Sequence, residues 1–259
     1  MSDVRKIKIL LIGYGNMGHI IENEAISINC DIIDIIEPKD NKYNKTLDNS
    51  KINECDAIIE FTHPIYAFNI IDNALKYNKP VISGTTGWFH KIEELKKKHN
   101  FTTSTLIYGS NYSIGMNLFY QIINYSSKLI GDTNLYDIYG IEAHHKKKAD
   151  SPSGTAKILS EIILNTFQGK EKVRYDLNNQ ALETNEFSFT SIRAGEISGK
   201  HQIGFDSIFD EIEIKHSAKS RRGFAIGALM AARYACKIKG IHNFKDIFSE
   251  VMLNATQSH

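Results

Sequence analysis

The chain has 259 residues, 42% hydrophobic and 24% charged, with a formal net charge of +1. That balance fits a soluble globular protein with one large domain or two modest ones, and it excludes the gross basicity of a nucleic-acid binder. Cys30, Cys55 and Cys236 form no Cys-x-x-Cys pair, so neither a disulfide scaffold nor a zinc ribbon is expected and a reducing cytoplasm is the expected location. The apolar run ending at Ile12 is too short to span a bilayer, and no later segment is a candidate, so no membrane partner is expected.

In chain order, Lys6 to Ile12 reads as a buried strand, and a glycine turn feeds a helix from about Asn16 to Ile26. Asp31 to Glu37 is a second strand, stopped by Pro38, and the polar stretch Lys39 to Asn53 reads as a loop. Ala57 to Phe61 is a third strand, followed by a helix that Pro64 starts after Thr62 or His63. Val81 to Ser83, an amphipathic helix over His90 to His99, and Ser104 to Tyr108 complete the alternation. Strands alternating with helices predict a Rossmann-like, doubly wound parallel sheet.

After Asn111 the rhythm changes. A helix is predicted over Ile114 to Ile130, a strand over Asp137 to Glu142, and a helix from Ser153 to Thr166. Phe187 to Arg193, Ile197 to Phe205 and Phe209 to Lys215 read as successive antiparallel strands, and helices near Gly223 to Ile238 and Phe244 to Leu253 close the chain. The predicted architecture is α/β: a dinucleotide-binding domain from 1–112 and 223–259, with an inserted α+β substrate-binding and oligomerisation domain from 113–222.

Gly13-Tyr14-Gly15-Asn16-Met17-Gly18 lies between a predicted strand and a predicted helix. The first glycine suits the tight turn, the second lets backbone approach a pyrophosphate, and the third lets helix pack on strand. Glu37 ends the next strand 19 residues after Gly18, where a carboxylate can accept hydrogen bonds from an adenosine ribose. Glu37 would repel a 2′-phosphate and so favours NADH, whereas Lys39 would offset that and admit NADPH. Gly84, Thr85 and Thr86 follow a later strand, at the edge where ligands of such sheets collect, and Thr85 could bond a carboxamide.

The run Glu142-Ala143-His144-His145-Lys146-Lys147-Lys148-Ala149-Asp150-Ser151-Pro152-Ser153-Gly154-Thr155 carries the other chemistry. His144 and His145 should point to opposite sides of an extended chain and so have different roles. Ser153-Gly154-Thr155 opens a helix, whose unpaired N–H groups suit a carboxylate. An imidazole of ordinary pKa, about 6.5, can deliver a proton near neutrality, although adjacent ammonium groups lower that value unless an anionic ligand compensates. Side-by-side histidines chelate one ion poorly, and no cysteine or carboxylate cluster is seen to complete a site, so no metal is expected.

With Glu60-Phe61-Thr62-His63-Pro64, Gly84-Thr85-Thr86-Gly87, Ser110-Asn111-Tyr112-Ser113-Ile114-Gly115 and Arg193-Ala194-Gly195-Glu196-Ile197-Ser198-Gly199, these segments make the sequence resemble the 4-hydroxy-tetrahydrodipicolinate reductase family over nearly its whole length. The resemblance implies reduction of a cyclic unsaturated dicarboxylate with NADH or NADPH in the diaminopimelate route to lysine. It implies His144 as proton donor and Lys148 as second acid or electrostatic partner. His145, Lys148, Ser153, Gly154 and Thr155 would hold the substrate carboxylates. The glycine loop, Glu37, Phe61, Thr62, Gly84, Thr85, Thr86, Ser110, Asn111 and Tyr112 would line the cofactor cleft. It implies a homotetramer paired through the sheet of the inserted domain. Many relatives carry Arg where this chain has Asn16, which weakens the case for NADPH. Two other readings compete: another two-domain NAD(P)-dependent amino- or oxo-acid dehydrogenase, disfavoured by the 144–155 segment, and a non-catalytic dinucleotide-binding redox sensor, which would have no use for a proton donor.

Overall fold

The computed structural model describes residues 5–37 and 49–256. The chain divides into two compact units, Met1–Ile114 with Arg221–His259, and Gly115–Ser220.

The first unit contains β1 (Ile7–Ile12), α1 (Asn16–Ala25), β2 (Cys30–Ile36), α2 (Asn49–Glu54), β3 (Ala57–Glu60), α3 (Pro64–Leu75), β4 (Val81–Ser83), α4 (Ile92–Lys98) and β5 (Thr105–Tyr108). Its six strands run in the order β11-β5-β4-β3-β1-β2, where β11 is Gly240–Asn243, and every pairing is parallel. A strand buried on both faces reads as an unbroken apolar run, and β1 shows the consequence. Ile9 and Leu11 join a core formed with the helices α1, α7 (Arg222–Ala235) and α8 (Phe244–Thr256), while Leu10 and Ile12 join one formed with α2, α3 and α4. The chain leaves β1 toward β2 on one side and continues through β3, β4 and β5 on the other. The crevice at that reversal, at the carboxyl ends of β1 and β3, is where open α/β sheets bind ligands.

The second unit holds α5 (Ile114–Gly131), β6 (Asp137–His144), α6 (Gly154–Thr166), β7 (Lys172–Arg174), β8 (Glu186–Arg193), β9 (Lys200–Asp206) and β10 (Glu211–Ser217), apart from the first residue of α5. Its sheet order is β10-β9-β6-β8-β7. Met116, Phe119 and Ile123 of α5 and Leu159 and Ile163 of α6 pack on Phe187, Phe189, Ile203 and Phe205 of the sheet.

The sheet corrects the reading of three successive antiparallel strands. β9 and β10 do form an antiparallel pair, but β8 and β9 do not pair with each other: both flank β6, β9 antiparallel and β8 parallel. Alternation along Phe187 and Phe189 reports a buried face, not which neighbour supplies the hydrogen bonds. Three short elements also went unpredicted. α2 overlaps the end of the stretch read as loop and runs one residue past it, and β7 and β11 are strands of three and four residues, too short for periodicity to register. Among the described residues, no helix is long and apolar enough to cross a membrane.

Candidate active site

In the first unit the glycine loop shows why each glycine is there. Gly13 has φ +94°, and a Cβ would stand 2.1 Å from the Phe61 carbonyl oxygen. At Gly18 a Cβ would stand 2.5 Å from the Gly13 carbonyl oxygen. Gly15 is different: a Cβ there would meet nothing within 4 Å, so the fold itself does not demand glycine. Gly15 is also the N-cap of α1, with no side-chain cap and no acidic residue in the first turn. The positive end of that helix and its orphan N–H groups therefore stand open to an anion.

A cleft of about 350 Å³ is lined by Gly15, Asn16, Met17, Phe61, Thr62, Pro64, Gly84, Thr85 and Thr86. All but Pro64 belong to the predicted cofactor set. Glu37 lies at the same strand edge and accepts the Tyr14 N–H at 2.9 Å, which ties the second strand end to the loop. Lys39 lies outside the described residues.

Beneath the cleft is a buried carboxylate that sequence reasoning missed. Glu60 accepts from the Thr62 N–H at 2.8 Å, the Ser83 hydroxyl at 2.6 Å and the Thr85 hydroxyl at 2.6 Å, and the Trp88 indole N–H donates to the Ser83 hydroxyl. The strand register makes this possible, since Glu60 and Ser83 face one another. The Thr85 hydroxyl donates its proton to Glu60 at 2.6 Å and accepts the Thr62 N–H at 2.8 Å. Tyr112 is 1% exposed, with its hydroxyl 3.0 and 3.1 Å from the Ser83 and Ile107 carbonyls and its single proton shared between them, so its side chain braces the strand ends. Ser110 is exposed, and the Asn111 side chain accepts the Ser113 N–H in the approach to α5.

In the second unit β6 carries Ile138, Gly140, Glu142 and His144 on its buried face. His145 leaves the strand, its N–H donating to the Ile197 carbonyl at 2.8 Å, while the His144 ring lies against Glu142 and His201. Glu142 is fully buried. Its Oε1 accepts from the Ser153 N–H at 2.8 Å, the Ser191 hydroxyl at 2.7 Å and the Arg193 guanidinium at 3.0 Å. Its Oε2 lies 3.3 Å from His144 Nδ1 and 3.6 Å from His201 Nε2. Arg193 also donates to the Asp150 carbonyl, pinning the lysine-rich loop. Lys148 stands at that loop with its ammonium 2.7 Å from Asp150.

Burial alone would raise the Glu142 carboxyl, but the neighbouring His201 imidazole and the donors from Ser153 and Ser191 outweigh it and hold the group well below the usual carboxylate range. Burial lowers the His144 imidazole to about 4; His201, Lys148 and Arg193 add to that effect, against the opposing pull of Glu142. Without a ligand, His144 is therefore neutral near pH 7, rather than poised near its ordinary value.

Ser153 caps α6, its hydroxyl accepting the Ala156 N–H at 3.1 Å. Gly154 beside it is exposed and has ordinary φ, and a Cβ there would meet nothing within 4 Å. Thr155 is half-buried on the same turn. The turn does not require a glycine, and the start of α6 is open to approach at this position.

Glu142, His144 and His201 offer atoms within 4.8 Å of one another. The fold thus assembles a carboxylate with two imidazoles, a cluster the sequence reading did not see, and the second imidazole is His201 rather than His145. Arg193 on the same carboxylate and Lys148 close enough to bias His144 make the surroundings cationic, which opposes a divalent ion there.

Residues 7–112 match the family model described as dihydrodipicolinate reductase, N-terminus, and residues 115–248 match its C-terminus. The chain belongs to the dihydrodipicolinate reductase family. A 4-hydroxy-tetrahydrodipicolinate reductase of Christiangramia forsetii is 37% identical over 96% of this chain and 100% of its own length. One from Buchnera aphidicola subsp. Schizaphis graminum is 39% identical over 78% of this chain and 75% of that protein. Dipicolinate-bound dihydrodipicolinate reductase from Paenisporosarcina sp. TG-14 shares the fold, with a TM-score of 0.75 at 19% identity over 93% of this chain and 99% of that one. As a dihydrodipicolinate reductase family member the chain is an NAD(P)H-dependent oxidoreductase. The buried residues missed from the sequence left one signal: Glu142 falls in register with Ile138 on the apolar side of its strand, where an unpaired carboxylate would be costly.

Proposed function

We propose that this protein reduces 4-hydroxy-tetrahydrodipicolinate to tetrahydrodipicolinate in the diaminopimelate route to lysine, with the first unit holding the dinucleotide and the second holding the dicarboxylate. The observation that carries the reading is the second unit's cluster: a buried imidazole on a fixed carboxylate, within the electrostatic reach of Lys148 and Arg193, in a unit that also presents an open glycine at a helix start. Loss of the 4-hydroxyl as water leaves the conjugated unsaturated ring, and when bound the nicotinamide would supply a hydride to it, with one proton completing the reduction.

Ser153, Gly154, Thr155, His145 and Lys148 hold the two carboxylates by hydrogen bonds and charge. Each carboxylate offsets part of the positive potential that depresses His144, so the bound dianion lets that imidazole hold a proton and deliver it to the ring. Lys148, released from Asp150 or shared with it, is the second acid or electrostatic partner. Positioning and electrostatic clamping supply most of the rate enhancement.

Glu37 and Asn16 favour NADH. The family resemblance supports a homotetramer and a cytoplasmic setting. The exposed apolar residues Ile192 and Ile212 on strands β8 and β10 are consistent with sheet pairing between copies.

The deciding experiment follows loss of NADH absorbance with freshly generated 4-hydroxy-tetrahydrodipicolinate against a panel of amino and oxo acids. Turnover confined to the dicarboxylate is expected. Turnover with an oxo acid but not the dicarboxylate would replace this reading with that of an amino- or oxo-acid dehydrogenase.

A further inference from the structure

The two oxygens of Glu142 are unequally served. Oε1 takes three donors, from Ser153, Ser191 and Arg193. Oε2, His144 Nδ1 and His201 Nε2 are all buried, none has a hydrogen-bond partner, and the two nitrogens converge on that one oxygen at 3.3 and 3.6 Å. Three buried polar atoms with nothing else to bond, turned toward one another, require an explanation. Strand register supplies the geometry: Ser191 and His201 lie directly across from Glu142 on its two neighbouring strands, and Arg193 lies across from His144.

We infer that Glu142 is a positioning residue that fixes the tautomer of His144, and that His201 shares the same carboxylate oxygen. The inference rests on His144 being the proton donor. An imidazole whose Nδ1–H is held by a carboxylate keeps Nε2 for proton exchange, because the neutral ring has only one N–H. His144 Nε2 lies beside Gly199, 3.2 Å from where a Cβ would stand, and Gly199 has φ +147°. Gly199 contributes no side chain to the space on that side of the ring. After the 4-hydroxyl has left as water and the ring has taken the hydride, the imidazolium gives its Nε2 proton to the ring carbon and remains as the neutral ring with Nδ1–H on Glu142, so hydride, proton and departing water together account for the change.

The groups that bear on this titration come from every neighbouring element: Glu142 on β6, Arg193 on β8, His201 on β9, which also bears on His216 of β10, and Lys148 from the loop. The His144 and His201 rings meet edge to face with centroids 5.2 Å apart. A positive charge on one therefore opposes a charge on the other, and a single carboxylate serves both.

Imidazole nitrogen NMR of the full chain, with the His144 signal assigned by its loss in His144→Gln, tests this without recourse to activity. The native protein is expected to show the Nδ1–H tautomer at neutral pH. Glu142→Gln, which presents an amide in place of Oε2, is expected to shift the ring toward Nε2–H. It should also lower kcat about a hundredfold, the lower end for a lost general acid, with KM for the dicarboxylate changed far less. His201→Gln should raise the pH at which His144 titrates while keeping the Nδ1–H tautomer. A native Nε2–H tautomer, which needs no variant to observe, overturns the inference, as does a folded Glu142→Gln protein with an unchanged tautomer. Full turnover in His144→Gln would instead remove the proton-donor assignment and leave the tautomer result standing, so the two failures are distinct.

Discussion

Gly154 and His144 carry the sharpest predictions at the scale of single residues. Because a Cβ at position 154 has no neighbour within 4 Å, Gly154→Val should fold normally yet fill the space before the helix start. It is expected to weaken pyridine-2,6-dicarboxylate at least about tenfold, or about 1.4 kcal/mol, while NADH affinity measured without substrate stays the same. Undiminished inhibitor affinity in a folded variant would place the carboxylate elsewhere. His144→Gln should lower kcat by about two to four orders of magnitude, the usual loss for a general acid, with dinucleotide affinity retained in an equilibrium titration. Near-native turnover at neutral pH would rule out the proton-donor role.

At the scale of elements, the proposed cofactor preference belongs to the β1–α1 loop and the end of β2. Glu37 accepts the Tyr14 N–H, and a carboxylate there suits a ribose diol better than a phosphate. The uncapped start of α1 would serve the pyrophosphate of either dinucleotide equally. NADH is therefore expected to be used at least as well as NADPH when kcat/KM is compared at one ionic strength, since salt screens exposed charges. A preference for NADPH of about two orders of magnitude would show that Lys39, or a residue outside the predicted set, dominates the pocket.

For the whole molecule the buried cluster predicts loss of stability in acid. The Glu142 carboxyl is depressed in the fold, so its contribution is present above its unfolded value of about 4.3 and lost as pH falls through its lower folded value. His144 sits at about 4 in the fold against about 6.5 unfolded, so the unfolded chain binds more protons between those values and stability falls as pH drops through that window. Both groups act in the same direction. The thermal midpoint should decline from about pH 6.5 downward, and more gently in His144→Gln because its share of the proton linkage is gone. A native midpoint that held constant or rose over that range would contradict the assigned shifts. A saturating dicarboxylate should raise the midpoint by mass action.

The amino-acid sequence by itself determined the parallel sheet of the first unit, the glycine loop and the position of the helix start at Ser153, because those features depend on residues near one another in the chain: apolar runs, turn glycines and capping hydroxyls. It also carried the family motifs. The tertiary structure decided the rest. Ser191, Glu142 and His201 face one another only because β8 and β9 both flank β6, and no periodicity within one strand reports its neighbours. The bracing bonds of Tyr112 and Thr85 likewise exist only because Ser83 and Glu60 come into register. Hydrogen-bond partners separated by 23 to 51 residues are fixed by strand order, and strand order is set by how the cores of each unit pack rather than by any local pattern.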